Sequence, residues 1–242
     1  MRAGARADVA LVERGLFPSR AKAREAIEAG LVSAGGRAIA KPSEPIGADE
    51  AIEARAPYPW VSRGGVKLAA ALDAFGFDPA DRACLDIGAS TGGFTDVLLA
   101  RGAAHVVAVD VGTGQLHERL RGDPRVRAFE KTDARALTPQ MAGAPDLIVC
   151  DVSFISLRHI LPHVLALAAP RARLVALVKP QFEAGPNLVR KGVVRDEKAR
   201  ARVLRDIADV IAAQGWRIVG EIASPIAGGD GNVEYLLGAQ RP

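Results

Sequence analysis

Four polar residues stand where an α/β chain has few polar side chains to spare: Lys67, Asp151, Lys179 and Glu234. Asp151 follows the apolar run Leu147-Ile148-Val149-Cys150, and Lys179 follows Leu174-Val175-Ala176-Leu177-Val178. Runs of this kind suit parallel strands buried on both faces, and in open α/β sheets the ligand crevice lies beyond the carboxyl ends of such strands. Both side chains should therefore project into one crevice. Glu234, after Gly231-Asn232-Val233 in the last predicted strand, can return to it, and Lys67, after Val61-Ser62-Arg63-Gly64-Gly65-Val66, can reach it from the helix before the sheet. Two lysines and two carboxylates around a ligand can orient it, move a proton or steady a developing charge.

The stretch Leu85-Asp86-Ile87-Gly88-Ala89-Ser90-Thr91-Gly92-Gly93-Phe94-Thr95-Asp96 indicates what the crevice holds. An apolar strand runs into a glycine-rich turn and then a helix; Gly88 permits a strained turn, and Gly92-Gly93 let the backbone approach a ligand. The dinucleotide fingerprint Gly-x-Gly-x-x-Gly is not met, because Ser90 occupies its second glycine position, so the turn need not enclose a pyrophosphate. Asp110 ends Val106-Val107-Ala108-Val109, where a carboxylate can accept both ribose hydroxyls of a nucleoside. Asp133 follows a third short run, near where an adenine amino group would lie. A glycine turn with an acid after the second strand and another after the third resembles the S-adenosylmethionine-dependent methyltransferases. That resemblance implies S-adenosylmethionine as cofactor, held by Asp86, Gly88, Ser90, Gly92, Gly93, Phe94, Asp110 and Asp133.

The elements that must position these residues follow from the alternation of apolar runs and amphipathic stretches. Helix 65–75, strand 84–87, helix 93–101, strand 106–109, a short helix near 115–121 and strand 126–129 come first. Strand 146–151, helix 156–168, strand 173–178, helix 196–213, strand 217–223 and a final strand 233–239 follow. Such alternation predicts a doubly wound, mainly parallel sheet of Rossmann-like type. Residues 180–195, with Arg190, Lys191 and Arg195, form a long connection that reads as a mobile basic flap ordering on RNA.

Residues before the sheet read as a separate small α+β unit. Asp8 to Gly15 give a short helix, Ser19 caps a second that ends at Gly30, Gly35-Gly36 make a tight turn after a strand from Leu31, and Ala51 to Ala54 close the unit. The second helix carries Arg20 and Arg24 one turn apart with Lys22 beside them, an unfavourable pairing unless something anionic lies opposite. The pattern from Arg14 to Val32, with Gly35-Gly36-Arg37 and Lys41-Pro42, resembles the alpha-L RNA-binding domain. The boundaries expected are 1–57 for that domain, 58–62 for a proline-stiffened linker and 63–242 for the sheet domain. Candidate RNA contacts are Arg6, Arg20, Lys22, Arg24, Arg63, Phe154, Arg190 and Lys191, with Phe154 suited either to stack on a base or to cover the sheet end.

The order Lys67, Asp151, Lys179, Glu234 resembles the tetrad of FtsJ-like RNA ribose 2′-O-methyltransferases. The stretches Val61-Ser62-Arg63-Gly64, Asp151-Val152-Ser153-Phe154-Ile155-Ser156-Leu157, Val178-Lys179-Pro180-Gln181-Phe182-Glu183 and Asn232-Val233-Glu234-Tyr235 are closer still to the TlyA rRNA methyltransferases, a family also known as hemolysin A. The resemblance implies methyl transfer to a cytidine 2′-hydroxyl of ribosomal RNA. Lys179 would then take the proton or steady the alkoxide, Asp151 and Glu234 would orient the lysines, and Lys67 would hold the substrate. That family has a longer form acting on both ribosomal subunits and a shorter one acting on the large subunit. This chain stops at Gln240-Arg241-Pro242, which implies the shorter form's substrate.

Composition sets the outer bounds. A 242-residue chain with 49% hydrophobic residues and a mean hydropathy of +0.10 is globular, and a net charge of +4 with a pI near 9.3 permits a polyanionic partner. Only two cysteines occur, Cys84 and Cys150, both in apolar runs, which excludes a disulfide framework and speaks against a metal site. The opening residues lack a signal peptide's apolar core, and no stretch approaches ~18 uninterrupted apolar residues, so the expected location is cytoplasmic. Two other readings are a membrane-active hemolysin and a catalytically silent RNA-binding factor of ribosome assembly.

Overall fold

The computed structural model describes residues 4–242; the first three residues of the expected 1–57 domain lie outside the described residues. The chain divides into a unit ending at Pro59 and a larger one, Trp60–Pro242.

In the smaller unit, strand β1 (Ala5–Arg6) leads into helix α1 (Ala7–Glu13), followed by α2 (Arg20–Glu28). The Ser19 hydroxyl accepts the Lys22 N–H at the start of α2, and Ala23, Ala26 and Ile27 bury its inner face against Leu11 and Phe17. Strand β2 (Val32–Ala34) pairs antiparallel with β3 (Arg37–Ala38) across Gly35 and Gly36, at φ +53° and +75°. Two successive positive φ values are what a two-residue hairpin turn requires, and glycine adopts them without a steric penalty. Strand β4 (Pro45–Ile46) pairs with β1, and β5 (Ile52–Ala54) with β2.

The larger unit begins with α3 (Gly64–Phe75) and continues through β6 (Ala83–Ile87), α4 (Gly93–Ala100), β7 (His105–Val109), α5 (Glu118–Arg121) and β8 (Val126–Phe129). It then runs through α6 (Pro139–Ala142), β9 (Leu147–Cys150), α7 (Leu157–Ala166), β10 (Arg173–Val178), α8 (Pro180–Glu183), α9 (Glu197–Ala213), β11 (Arg217–Ala223) and β12 (Tyr235–Gln240). Seven strands form one sheet in the order β11-β12-β10-β9-β6-β7-β8. From β10 to β8 all pairs are parallel, whereas β12 runs antiparallel to both of its neighbours. The inner parallel strands β6, β7, β9 and β10 are buried on both faces, whereas β8 is a half-exposed edge: Leu85, Ile87, Ile148 and Cys150 face the layer of α7 and α9, while Cys84, Leu147 and Val149 face α3 and α4.

The strand order reverses between β6 and β9, and such a switch point opens a crevice at the carboxyl ends. Asp151 continues β9 there, its N–H donating to the Ile87 carbonyl at 2.8 Å. The antiparallel β12 pairs Tyr235 with Val178, which sets the residue before Tyr235 beside the residue after Val178. Glu234 is thus not inside the last strand, as the sequence reading had it, but immediately before it. The connection 180–195 contains α8, a single 3₁₀ turn at Pro186–Leu188 and a hairpin closed between Arg190 and Val193.

Candidate active site

Two adjoining cavities open at the carboxyl ends of the parallel strands and share Gly88, Ser90, Asp151, Ser153 and Phe154. The larger, about 600 Å³, is lined by all four members of the candidate tetrad, with Gly93, Phe94, Arg63 and Asn232. The smaller, about 410 Å³, has the apolar side chains Ile87, Val109, Ile155 and Ile160 in its walls and Asp110 and Asp133 among its polar groups.

The tetrad forms two ion pairs. Lys67 Nζ meets Glu234 Oε2, with both side chains buried, and Lys179 Nζ lies 2.5 Å from Asp151 Oδ1. Lys179 also donates to Ser153 Oγ at 2.9 Å, a partner the sequence reading did not identify. Its position two residues after Asp151 was the available signal, because one loop then presents both acceptors to one ammonium.

Four of the eight candidate cofactor residues are walls of the crevice by virtue of the glycine turn. At Gly88, φ is +82° and a Cβ would stand 2.8 Å from the Asp151 carbonyl carbon, so this position admits no side chain. Ser90, at φ +47°, donates its N–H to Asp110 Oδ2 at 2.8 Å and its hydroxyl to Gln115 Oε1 at 3.0 Å. A Cβ on Gly93 would strike the Ser62 hydroxyl, and Phe94 is buried at the edge of the larger cavity.

The two acids of the smaller cavity are already oriented. Asp110 Oδ1 accepts the Gly112 N–H at 2.7 Å, which together with the Ser90 bond leaves the outward lone pairs of both oxygens for a ligand. Asp133 is paired at 2.5 Å with Arg135, whose guanidinium lowers the carboxyl pKa to about 2.

Two candidates lie elsewhere. Gly92 lines neither cavity; at φ +95° its missing Cβ makes room for Leu116, whose Cδ1 would be 2.8 Å away, and for Leu120 of α5. Asp86 is fully buried beneath the turn, because alternation along β6 turns it with Cys84 toward the α3 and α4 layer. Its Oδ2 accepts from the Thr95 hydroxyl at 2.6 Å while Oδ1 has no hydrogen-bond partner among the described residues. Burial pushes its pKa up to about 7, with the charges of Asp151 and Asp110 adding to the effect.

Both cysteines are core residues, Cys84 raised to about 12 by burial and Cys150 raised further by the same cause. Neither is poised as a thiolate. Among the described residues no group of three or more His, Cys, Asp or Glu gathers as metal ligands.

At the mouth of both cavities Phe154 is 91% exposed, at φ +64°, with its ring 5.1 Å from that of Phe182. Glu183 ties the loops that carry these rings: it accepts from the Ser156 hydroxyl at 2.5 Å and the Leu157 N–H at 2.8 Å. Arg63 is exposed at the start of α3, and Arg190 and Lys191 are exposed in the 190–193 hairpin. That hairpin is pinned by buried Asn232, whose amide donates to the Gly192 and Gly229 carbonyls at 2.8 and 3.0 Å.

In the N-terminal unit the anion opposite Arg20 and Arg24 turns out to belong to the same unit. Asp8, fully buried, takes Arg20 at 2.8 Å, Arg6 at 3.0 Å and Arg24 at 3.3 Å, and Arg6 foremost holds its carboxyl far below the usual range. The three guanidiniums remain about half exposed around it. Lys22 donates to the Tyr58 hydroxyl at 2.6 Å and pairs with Glu25.

The FtsJ-like methyltransferase family matches residues 60–241, and the S4 domain matches residues 5–52. The 16S/23S rRNA (cytidine-2′-O)-methyltransferase TlyA of Mycobacterium tuberculosis is 51% identical over 237 residues, which cover 96% of this chain and 88% of that protein. The 23S rRNA (cytidine-2′-O)-methyltransferase TlyA of Campylobacter jejuni is 41% identical over 179 residues, covering 73% of this chain and 69% of its own. A solved structure from Streptococcus thermophilus described as a hemolysin superposes with a TM-score of 0.78 at 40% identity, over 100% of this chain and 90% of that one. Magnesium protoporphyrin IX methyltransferase from Synechocystis PCC 6803 with bound SAM shares the fold, at 18% identity and a TM-score of 0.52, over 74% of this chain and 79% of that one.

Proposed function

Because the chain belongs to the TlyA branch of the FtsJ-like methyltransferases, we propose that it transfers a methyl group from S-adenosylmethionine to the 2′-oxygen of a cytidine in large-subunit ribosomal RNA. The names of both TlyA relatives include the large-subunit RNA, which is why that RNA is the substrate chosen. The observation that carries the reading is the convergence of Lys67, Asp151, Lys179 and Glu234 as two ion pairs on one cavity, next to a second with an apolar wall and two oriented acids.

The residues present fit the cofactor. Gly88 lets the turn close on Asp151 with no Cβ between them, Asp110 offers outward lone pairs for ribose hydroxyls, and Asp133 offers an acceptor for an adenine amino group. When bound, S-adenosylmethionine supplies a sulfonium-activated methyl. The chain's own part is then largely positioning, since a ribose hydroxyl must be held in line and its growing negative charge steadied. Paired with Asp151, Lys179 suits a cation that stabilises the developing alkoxide more than a neutral base. Lys67, locked by Glu234, is the second cation of the cavity and holds the ribose or its phosphate.

Phe154 and Phe182 offer a sequence-tolerant platform for a base, a contact worth ~1–3 kcal/mol. Arg63, Arg190 and Lys191 supply phosphate contacts, and in the N-terminal unit Arg6, Arg20 and Arg24 are held by Asp8 in a cluster of net positive charge. Such work belongs where ribosomes are, in the cytoplasm. Among the described residues no helix is long and apolar enough to cross a membrane.

Tritiated methyl transfer to isolated ribosomal subunits, with the product nucleoside identified by mass spectrometry, tests the proposal. A 2′-O-methylcytidine in large-subunit RNA is the expected product. Tight subunit binding without methyl transfer would favour an assembly factor, and vesicle lysis without it would favour a hemolysin.

A further inference from the structure

We infer that Ser153 is a positioning residue that aims the Lys179 ammonium at the reacting ribose oxygen. The inference rests on the reading above, in which Lys179 faces that oxygen. An ammonium on a four-carbon stem is a rotating point charge with three donors, and an ion pair alone fixes its distance from a partner better than its direction. At Lys179 the surroundings are more restrictive. Asp151 Oδ1 stands 2.5 Å away on one side, and Ser153 Oγ accepts a hydrogen bond of 2.9 Å. With one proton held by the hydroxyl and the carboxylate alongside, rotation about Cε–Nζ is restrained and the two remaining donors are oriented in the cavity that both side chains line.

The local chain explains why a serine can do this at little structural expense. Asp151 and Ser153 leave the same strand end, and Phe154 at φ +64° turns the chain immediately afterwards, so that Ser153 stays exposed at the junction of the two cavities. No other hydrogen bond of its hydroxyl occurs among the described residues. Removing the hydroxyl therefore disturbs Lys179 and little else.

The test compares the full-length protein with Ser153→Ala and Ser153→Thr in methyl transfer to isolated large subunits. Calorimetry follows S-adenosylmethionine affinity, and ¹⁵N NMR follows the rotation of the Lys179 ammonium group. Ser153→Ala should lower kcat about 10-fold, as expected when a catalytic group loses its aim. KM for subunits and cofactor affinity should stay within about twofold, as befits an interaction made only in the transition state. The ammonium should rotate faster in Ser153→Ala, and Ser153→Thr should restore both rate and rotation. Unchanged kcat, a loss expressed in KM alone, or an unaltered Lys179 rotation in Ser153→Ala would each overturn the inference. A parent protein that leaves subunits unmethylated would instead overturn the functional reading, while the NMR comparison would still decide whether Ser153 holds Lys179.

Discussion

Gly88→Ala probes how closely the glycine turn must approach the strand that carries Asp151. The new Cβ would lie 2.8 Å from the Asp151 carbonyl carbon and 3.2 Å from the Val152 nitrogen, with the backbone at φ +82°. Ordinary carbon contacts fall at about 3.5–4.0 Å, so Asp151 must retreat by roughly 1 Å. The left-handed conformation adds about 1–2 kcal/mol for any residue with a side chain, and overpacking adds about 1–3 kcal/mol. Gly76→Ala separates strain from displacement, because Gly76 sits at φ +64° with nothing within 4 Å of a Cβ. It should lose only the strain energy in urea denaturation. A 1 Å shift of the residue that pairs with Lys179 should cut single-turnover methyl transfer about 100-fold in Gly88→Ala while leaving Gly76→Ala near the parent rate. If Gly88→Ala transferred methyl as fast as Gly76→Ala, the close approach of turn and strand would have no catalytic meaning.

Three further outcomes are expected. A carboxylate whose pKa rises on folding, from 3.8 to about 7 at Asp86, binds protons preferentially in the folded state, so its contribution to stability falls as pH rises through that window. The stability of the parent relative to Asp86→Asn should decline between about pH 4 and pH 7 in denaturant titrations, and a pH-independent difference would contradict it. Lys67→Met leaves buried Glu234 without its partner and should destabilise by about 3–5 kcal/mol, most of it recovered when Glu234→Gln is added; a single variant as stable as the parent would show the pair to be weak. Asp110→Ala removes the acceptor of two backbone N–H groups and of the proposed ribose contacts, so calorimetry should show cofactor affinity down about 10-fold or more, consistent with about 1.5–3 kcal/mol for bonds to a charged group.

Strands β7, β9 and β10 were legible because each carries a short, unbroken apolar run, the pattern of a strand buried on both faces. The positions of Asp151 and Lys179 followed directly, since a polar residue ending such a run has only the crevice to enter. Glu234 was less legible: residues 233–239 read as one strand, but the ladder begins at Tyr235, and its antiparallel direction, which carries Glu234 to the crevice, is a property of the assembled sheet. Asp86 shows another limit. A buried acid at the end of a strand looks like a ligand from its neighbours in sequence, yet whether its face is covered depends on α3 and α4. At Gly92 the sequence leaves two uses open, because glycine serves equally for a ligand or for the leucines of a packed helix, and here it packs against Leu116 and Leu120. The partner of Arg20 and Arg24 could not be read locally either, as Asp8 lies on a different helix.

The ion pair between Lys67 and Glu234 joins residues 167 positions apart in the sequence. Strand β12, which brings Glu234 into place, lies between β10 and β11, both of which precede it in the chain. During synthesis the five parallel strands can therefore collapse well before the last strand wedges into the gap left for it, and pairings of such long range form late. The crevice at the ends of the parallel strands can thus be shaped on the ribosome ahead of the pair that completes the tetrad. A nascent chain at that stage has the crevice without its full set of charged groups, and it gains the last member only once residue 234 has been made. For a protein proposed to act on ribosomal RNA, this order of assembly delays its action on the particle that is building it.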